Sequence, residues 1–126
     1  MKKPLPRPTD SELSILQILW RQGPSTVKHV QEILGDNTGY TTVLKFLQIM
    51  AEKGLVRRNE TQRAHVYEAT RSKDETQQQL VRGLLKKAFG GSTSQLVMQA
   101  LASKRATPAE LAEIKILVEQ LSRENK

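Results

Sequence analysis

The sequence predicts a mainly α-helical protein with one small β-hairpin. Apolar residues recur at three- and four-residue spacing in six segments, which is typical of amphipathic helices. After the third segment the pattern changes to two short β-capable runs, 55–59 and 65–69, around a polar turn. Three helices followed by a hairpin form a winged helix-turn-helix, and three further helices complete the chain.

Composition favours an anionic partner and argues against catalysis. The 126 residues include 20 Lys+Arg and 13 Asp+Glu, so the net charge is +7. Such a charge suits nucleic acid or an anionic membrane surface. With no cysteine and two histidines, the chain is poorly equipped for metal binding or acid–base chemistry. We expect no enzyme activity, no metal and no cofactor.

The chain also lacks the features of a membrane or secreted protein. No segment approaches the roughly 18 consecutive apolar residues of a membrane span, and the start of the chain does not look like a signal peptide. We therefore expect a cytoplasmic protein without membrane insertion. Residues 1–8 hold three prolines and three basic residues, which predicts a loose basic arm.

Polar caps bound the first two helices. Thr9 and Glu12 form a capping box, Gly23-Pro24 ends the first helix, and Ser25 is predicted to cap the second. The inward residues of these two helices are predicted to be Leu13, Leu16, Leu19, Trp20, Val27, Val30, Ile33 and Leu34.

The third helix, predicted over 41–53, has the composition of a DNA-recognition helix. Its inward stripe is Val43, Leu44, Leu47 and Met50. Its outward residues are Thr41, Thr42, Lys45, Gln48 and, at the far end, Glu52. In the major groove, Thr can contact a thymine methyl group, Lys a guanine and Gln an adenine. An ordinary solvated helix face has the same composition, so this alternative stays open.

Basic residues elsewhere in the first 70 residues suggest phosphate contacts. Arg57 and Arg58 lie on the first strand of the hairpin and Arg63 lies at its tip, where arginines reach phosphates or a minor groove. The alternative is that these charges protect an exposed strand edge. Lys28 and Ser25, at the start of the second helix, are candidates for holding another phosphate, although Ser25 has a sufficient role as a cap.

The last three helices, predicted over 75–89, 92–102 and 107–124, point to dimerisation. The second capping box is Thr107 with Glu110. Three short helices have too little volume to shield their wide apolar stripes alone. We therefore predict a DNA-binding domain over 1–72 and a dimerisation domain over 73–126. The predicted dimerisation residues are Leu80, Leu84, Leu85, Leu96, Leu101, Ile114, Leu117, Val118 and Leu121.

Several sequence motifs resemble the penicillinase-repressor and methicillin-resistance repressor family of bacterial transcription regulators. The matching stretches are 9–13 with Leu19-Trp20, then 39–47, 52–56, Val66-Tyr67, and 89–92 with Leu96-Val97 and the final Glu-rich helix. The resemblance covers roughly residues 8–124 and is carried most specifically by the Tyr-Thr-Thr-Val and Lys-Gly-Leu segments.

The resemblance implies a homodimeric repressor that binds palindromic, inverted-repeat operators in double-stranded DNA. The predicted DNA-binding residues are then Ser25, Lys28, Tyr40, Thr41, Thr42, Lys45, Gln48, Arg58 and Arg63. It also implies a membrane sensor metalloprotease that triggers cleavage in the fifth helix. The corresponding bond joins Gln99 to Ala100, where well-known members carry Asn-Phe. The copper-sensing branch uses C-terminal cysteines, which this chain lacks.

One alternative function comes from a different class. A winged helix can bind protein instead of DNA, with the C-terminal helices recruiting another partner. Such an interaction module would not bind specific DNA sequences.

Overall fold

The computed structural model of the chain describes residues 7–35, 37–61 and 65–125. The predicted mainly helical fold with a winged helix-turn-helix is confirmed. The element bounds are α1 Asp10–Gln22, β1 Ser25–Thr26, α2 Val27–Leu34, α3 Tyr40–Lys53, β2 Val56–Asn59, β3 Val66–Ala69, α4 Lys73–Ala88, α5 Thr93–Ser103 and α6 Pro108–Glu124. The predicted basic arm lies largely outside the described residues, which begin at residue 7.

The hairpin belongs to a three-stranded antiparallel sheet. Its central strand is β3, with β2 on one side and β1 on the other. Tyr67 of β3 pairs with Ser25 of β1 and with Arg58 of β2. The sequence analysis missed β1 because a two-residue strand is too short to show an alternating pattern.

The prediction that Ser25 caps the second helix is wrong. Thr26 is the cap, and its Oγ1 accepts a hydrogen bond of 3.1 Å from the His29 amide. Ser25 is buried in β1, and its hydroxyl donates to the Gly23 carbonyl at 2.8 Å. Ser and Thr are both favoured as helix caps, so the sequence alone does not distinguish Ser25 from Thr26. In the structure, Ser25 pairs with Tyr67 in the sheet and Thr26 caps the helix.

An apolar core joins α1, α2, α3 and the sheet. The predicted core residues that are buried are Leu16, Leu19, Val27, Val30, Val43, Leu47 and Met50. Ile33 departs from the prediction because 38% of it is exposed. Trp20 is only partly buried, and its indole Nε1 donates to the carbonyl of Arg71 at 3.0 Å.

An ion pair between the buried Glu12 and the half-buried Lys53 connects the first turn of α1 to the last turn of α3. The Glu12 carboxylate accepts hydrogen bonds from Lys53 Nζ at 2.9 and 3.1 Å and from the Thr9 amide at 2.9 Å. Burial raises the pKa of Glu12, but the hydrogen bonds from Thr9 and Lys53 outweigh it. The pKa of Glu12 is therefore lower than its ordinary value.

The helices beyond the sheet begin at side-chain caps. The structure confirms the Thr107–Glu110 capping box, with hydrogen bonds of 3.0 and 3.1 Å. It also shows an unpredicted box in which Ser72 and Glu75 exchange hydrogen bonds of 3.1 and 3.3 Å. Because this box starts the helix, α4 begins at Lys73, two residues before the predicted start.

The chain divides into two compact units, one up to Arg82 and one from Gly83 onward. This division falls inside α4, whereas the predicted domain boundary lies at its first residue. We keep the predicted division into 1–72 and 73–126 as a proposal. Among the described residues, none of the helices combines the length and apolarity required to cross a bilayer.

We expect Glu12→Gln to lower the free energy of unfolding by about 1–3 kcal/mol at neutral pH, because Lys53 loses its buried charged partner. The lowered pKa of Glu12 means that its contribution is complete above the ordinary Glu pKa. It is lost as pH falls through the folded-state pKa. Urea denaturation across the acidic range should show that the Gln variant lacks this component.

Glu110→Gln is the matched control, since Glu110 occupies the same capping-box position but is exposed. Its loss of stability should be smaller. Equal losses in the two variants would mean that the ion pair with Lys53 adds nothing to the cap.

The second stability prediction concerns the start of α2. Thr26→Ala should cost about 1 kcal/mol because the His29 amide loses its acceptor, whereas Thr26→Ser should cost only a few tenths. Thermal unfolding followed by circular dichroism measures both. If Thr26→Ala unfolds at the same temperature as the wild type, the Thr26 cap contributes nothing to the free energy of unfolding.

Candidate nucleic-acid interface

The exposed face of α3 carries most of the predicted DNA-contacting side chains. The buried residues of this helix are Val43, Leu47 and Met50. At about 100° per residue, Thr41, Lys45 and Gln48 lie within an arc of about 60° on the other side. All three are exposed. Gly54 ends the helix in the left-handed conformation, with φ of 84°, which suits glycine at this position.

Four predicted residues line one groove between the start of α2, α3 and the hairpin. The groove has a volume of about 630 Å³. The predicted residues in its lining are Lys28, Tyr40, Gln48 and Arg58. The sequence analysis did not predict that Thr26 and His65 would join them. The groove therefore brings cationic and hydrogen-bonding side chains from several elements to one place.

The other three predicted residues of α3 lie beside a separate hollow of about 290 Å³. Thr41, Thr42 and Lys45 line it together with Phe46 and Ile49. Phe46 is half-buried, while Ile49 is 37% exposed. The sequence analysis gave no role to these two apolar residues. Their spacing from Thr42, four and seven positions along the helix, is the signal that places them on its side of α3.

At the start of α2, the structure separates the two residues that were predicted to hold a phosphate. Lys28 is exposed. Ser25 is buried and directs its hydroxyl to Gly23. The first amides of a helix have no intrahelical partner, and Thr26 satisfies the one at His29. Lys28 is therefore the predicted residue whose side chain is accessible here.

Both arginines of β2 are held in ion pairs. Arg57 Nε lies 2.5 Å from a carboxylate oxygen of Glu68, its partner across the hairpin. Arg58 donates to the carboxylate of Glu60, and this hydrogen bond raises the pKa of the Arg58 guanidinium. The predicted wing-tip residue Arg63 lies outside the described residues. The two described arginines are thus partly neutralised by their neighbours.

A second recess beside α3 is acidic on one side. It has a volume of about 650 Å³, and Gln48, Glu52, Arg58 and Glu60 contribute to its lining. The sequence placed Glu52 on the outward face of α3, but the role of Glu60 was missed. Its position two residues after Arg58 is the available signal. Two carboxylates therefore lie beside the Arg58 guanidinium in this recess.

The predicted dimerisation residues form apolar surface on the C-terminal helices. None of the residues described over 83–125 is buried. The exposed members of the predicted set are Leu84, Leu101, Leu117, Val118 and Leu121, and the half-buried ones are Leu80, Leu85, Leu96 and Ile114. Met98, which was not predicted, is the most exposed large apolar residue among those described, at 69%.

The candidate cleavage site is exposed on α5. Gln99 and Ala100 both lie in α5 and are exposed. Within the described ranges, His, Asp and Glu side chains form no group of three or more that could hold a metal ion.

Comparison with known proteins gives matches along most of the chain. The family model described as penicillinase repressor matches residues 8–120. The transcriptional regulators BlaI of two Mycobacterium tuberculosis strains are each 39% identical over 84 residues. This match covers 64% of the chain but only 58% of each relative. A solved structure, a cysteine-to-serine mutant of Lactococcus lactis ZitR, matches with 16% identity and a TM-score of 0.46, over 99% of this chain and 81% of that chain.

The family match includes both parts of the molecule. It begins before α1 and ends within α6, so it contains the winged helix and the C-terminal helices. It also contains all the motif segments on which the resemblance was based, and that resemblance is confirmed. The chain belongs to the penicillinase repressor family of transcriptional regulators.

Proposed function

We propose that the chain is a DNA-binding transcription repressor that acts as a homodimer on an inverted-repeat operator. The observation that carries this proposal is the exposed arc of Thr41, Lys45 and Gln48 on α3, beside a groove lined by Lys28 and Arg58. The net charge of +7 supports a polyanionic partner. The family and its mycobacterial relatives support a role in transcription.

In this proposal α3 enters the major groove and reads base edges. Lys45 donates to guanine O6 and N7, and Gln48 pairs with an adenine edge. Tyr40 and Thr41, in the first turn, lie where a recognition helix meets the bases. Each subunit reads one half-site, and the two bound subunits block the promoter.

The α2 end and the wing contact the DNA backbone. Lys28 is exposed in the first turn of α2, and a cation at a helix N-terminus is a combination that favours phosphate. Arg58 gives one of its five N–H donors to Glu60, and other donors are available to a phosphate, although Glu60 offsets part of the positive charge. Arg63, which the sequence predicts at the tip of the hairpin, is proposed for a further backbone contact. Ser25 does not contact DNA directly in this proposal, but its pairing with β3 positions the start of α2.

Dimerisation uses the apolar surface of the C-terminal helices. The exposed side chains of Leu84, Leu117, Val118 and Leu121 find partners only when another surface covers them. A second copy supplies the same apolar surface, which a twofold interface requires. The dimer then fixes the spacing between the two winged helices, and the two half-sites of the operator match this spacing.

Relief of repression follows from cutting the dimerisation region. The Gln99–Ala100 bond is exposed on α5, and a membrane sensor metalloprotease is the proposed trigger. Cleavage there separates α6 and part of α5 from the winged helix. The repressor itself acts in the cytoplasm, where the DNA is.

The proposal predicts that Lys45→Ala weakens binding to the preferred duplex by about 1–3 kcal/mol and relaxes specificity at one position of each half-site. Stability should change by no more than about 0.5 kcal/mol, because Lys45 is exposed. Fluorescence anisotropy with a duplex selected from a randomised library measures the affinity. Lys115→Ala on α6 removes the same charge from another exposed position and is the control.

A salt titration of the same complex separates DNA binding from the protein-interaction alternative. Affinity for the selected duplex should fall steeply and linearly on logarithmic axes as salt rises, because counterions are released. Equal, weak affinity for all duplexes together with unchanged binding by Lys45→Ala would remove α3 from the reader role.

Dimerisation is tested with Leu117→Glu, which adds a charge at an exposed apolar position. The variant should shift from dimer to monomer in sedimentation equilibrium, with part of the helical content of the C-terminal helices lost as well, since a charge in an apolar interface is costly. Operator affinity should fall with it. Gln120→Glu adds the same charge on α6 outside the apolar stripe and should remain dimeric. A dimeric Leu117→Glu variant with full affinity contradicts the assignment of this surface.

A further inference from the structure

We propose that the hollow on α3 receives the C5-methyl group of an operator thymine, which makes Ile49 a specificity-determining residue. The inference rests on the proposed function, because it concerns the same DNA-reading helix. It assigns a role to two side chains, Phe46 and Ile49, that hydrogen-bonding recognition leaves unused. The hollow is lined by Thr41, Thr42, Lys45, Phe46 and Ile49.

The first argument is the composition of the hollow. Phe46 contributes a half-buried aromatic ring and Ile49 an apolar side chain that is 37% exposed. Thr42 adds a methyl group on the same side of the helix. DNA offers such a surface one apolar feature in the major groove, which is the thymine C5-methyl group.

The second argument is the position of Lys45. It lines the hollow and also lies on the exposed arc of α3, one helical turn before Ile49. Its ammonium is complementary to the acceptors of guanine and to the surrounding phosphates. A base pair that places its methyl group against Ile49 therefore lies next to the base that Lys45 contacts, and the charge of Lys45 favours DNA as the occupant.

The third argument is the contrast between the two sides of α3. Of the nine residues that line the groove on one side, seven carry a polar or charged group and the other two are Val27 and Leu44. The hollow on the other side has two apolar residues among its five, and its two threonines add methyl groups. The hollow therefore has the larger apolar share, and a methyl group suits it better than it suits the groove.

The test replaces thymine by deoxyuridine, which removes the methyl group and leaves the hydrogen-bonding edges unchanged. The probe is the duplex that the full-length chain selects from a randomised library. Each thymine in one half-site is replaced in turn, and affinity is measured by anisotropy. We expect one position at which deoxyuridine weakens binding about fourfold, the effect of one methyl group leaving an apolar contact.

Ile49→Ala removes one wall of the hollow. We expect it to weaken binding to the thymine duplex, and we expect the deoxyuridine effect at the sensitive position to shrink to less than about twofold. Ile33→Ala is the matched control, because Ile33 is also exposed, at 38%, and is not part of the hollow. Ile33→Ala should retain the full deoxyuridine effect.

Two results would overturn the inference while leaving the proposed function intact. One is specific, salt-sensitive binding with no deoxyuridine effect at any position. The other is a deoxyuridine effect of unchanged size in Ile49→Ala. If instead the chain selects no duplex at all, the proposed function fails and this inference fails with it.

Discussion

An ion pair between Lys53 and the buried carboxylate of Glu12, which are 41 residues apart in the chain, connects the end of α3 to the start of α1. Removing the Glu12 charge from water is costly, and only good geometry with further hydrogen bonds offsets this cost, whereas Lys53 stays one-third exposed. Here Lys53 contacts both carboxylate oxygens and the Thr9 amide contacts one of them. These contacts are satisfied only when the end of α3 lies against the start of α1. The pair therefore holds the exposed arc of α3 in one orientation.

Local features of this fold could be predicted from the sequence, and features that require a distant partner could not. The capping boxes at Thr9 and Thr107 are four-residue patterns, so they were found directly, although the same pattern at Ser72–Glu75 was missed. The exposed side of α3 followed from helical spacing. The sequence analysis assigned the cap of α2 to Ser25, whereas Thr26 is the cap. Ser25 instead pairs with Tyr67 of β3, which lies far along the chain, so local sequence does not show this pairing. Helical spacing likewise predicted that Ile33 is buried, but 38% of it is exposed. The spacing shows which side of α2 is apolar, but it does not show how far the neighbouring elements cover that side.

The electrostatics of the candidate site show the same limit. A sequence shows that Arg57 and Arg58 are cations, but not that Glu68 and Glu60 pair with them. These partners lower the positive potential of the wing. In the proposed complex, a phosphate at Arg58 meets a guanidinium whose charge Glu60 partly offsets, so attraction at the wing is weaker than the net charge of +7 suggests. The proposed selectivity then depends more on the base contacts that we propose for α3.

The absence of any buried residue among those described over 83–125 has a thermodynamic consequence. Most helical stability in proteins comes from packing of an amphipathic face, and this unit packs its faces only loosely. Its order is then coupled to association, and by mass action the folded fraction rises with protein concentration. In the proposed homodimer, the fraction of assembled chains therefore falls as the amount of protein in the cell falls. Under that proposal, the rates of synthesis and turnover control the amount of assembled repressor.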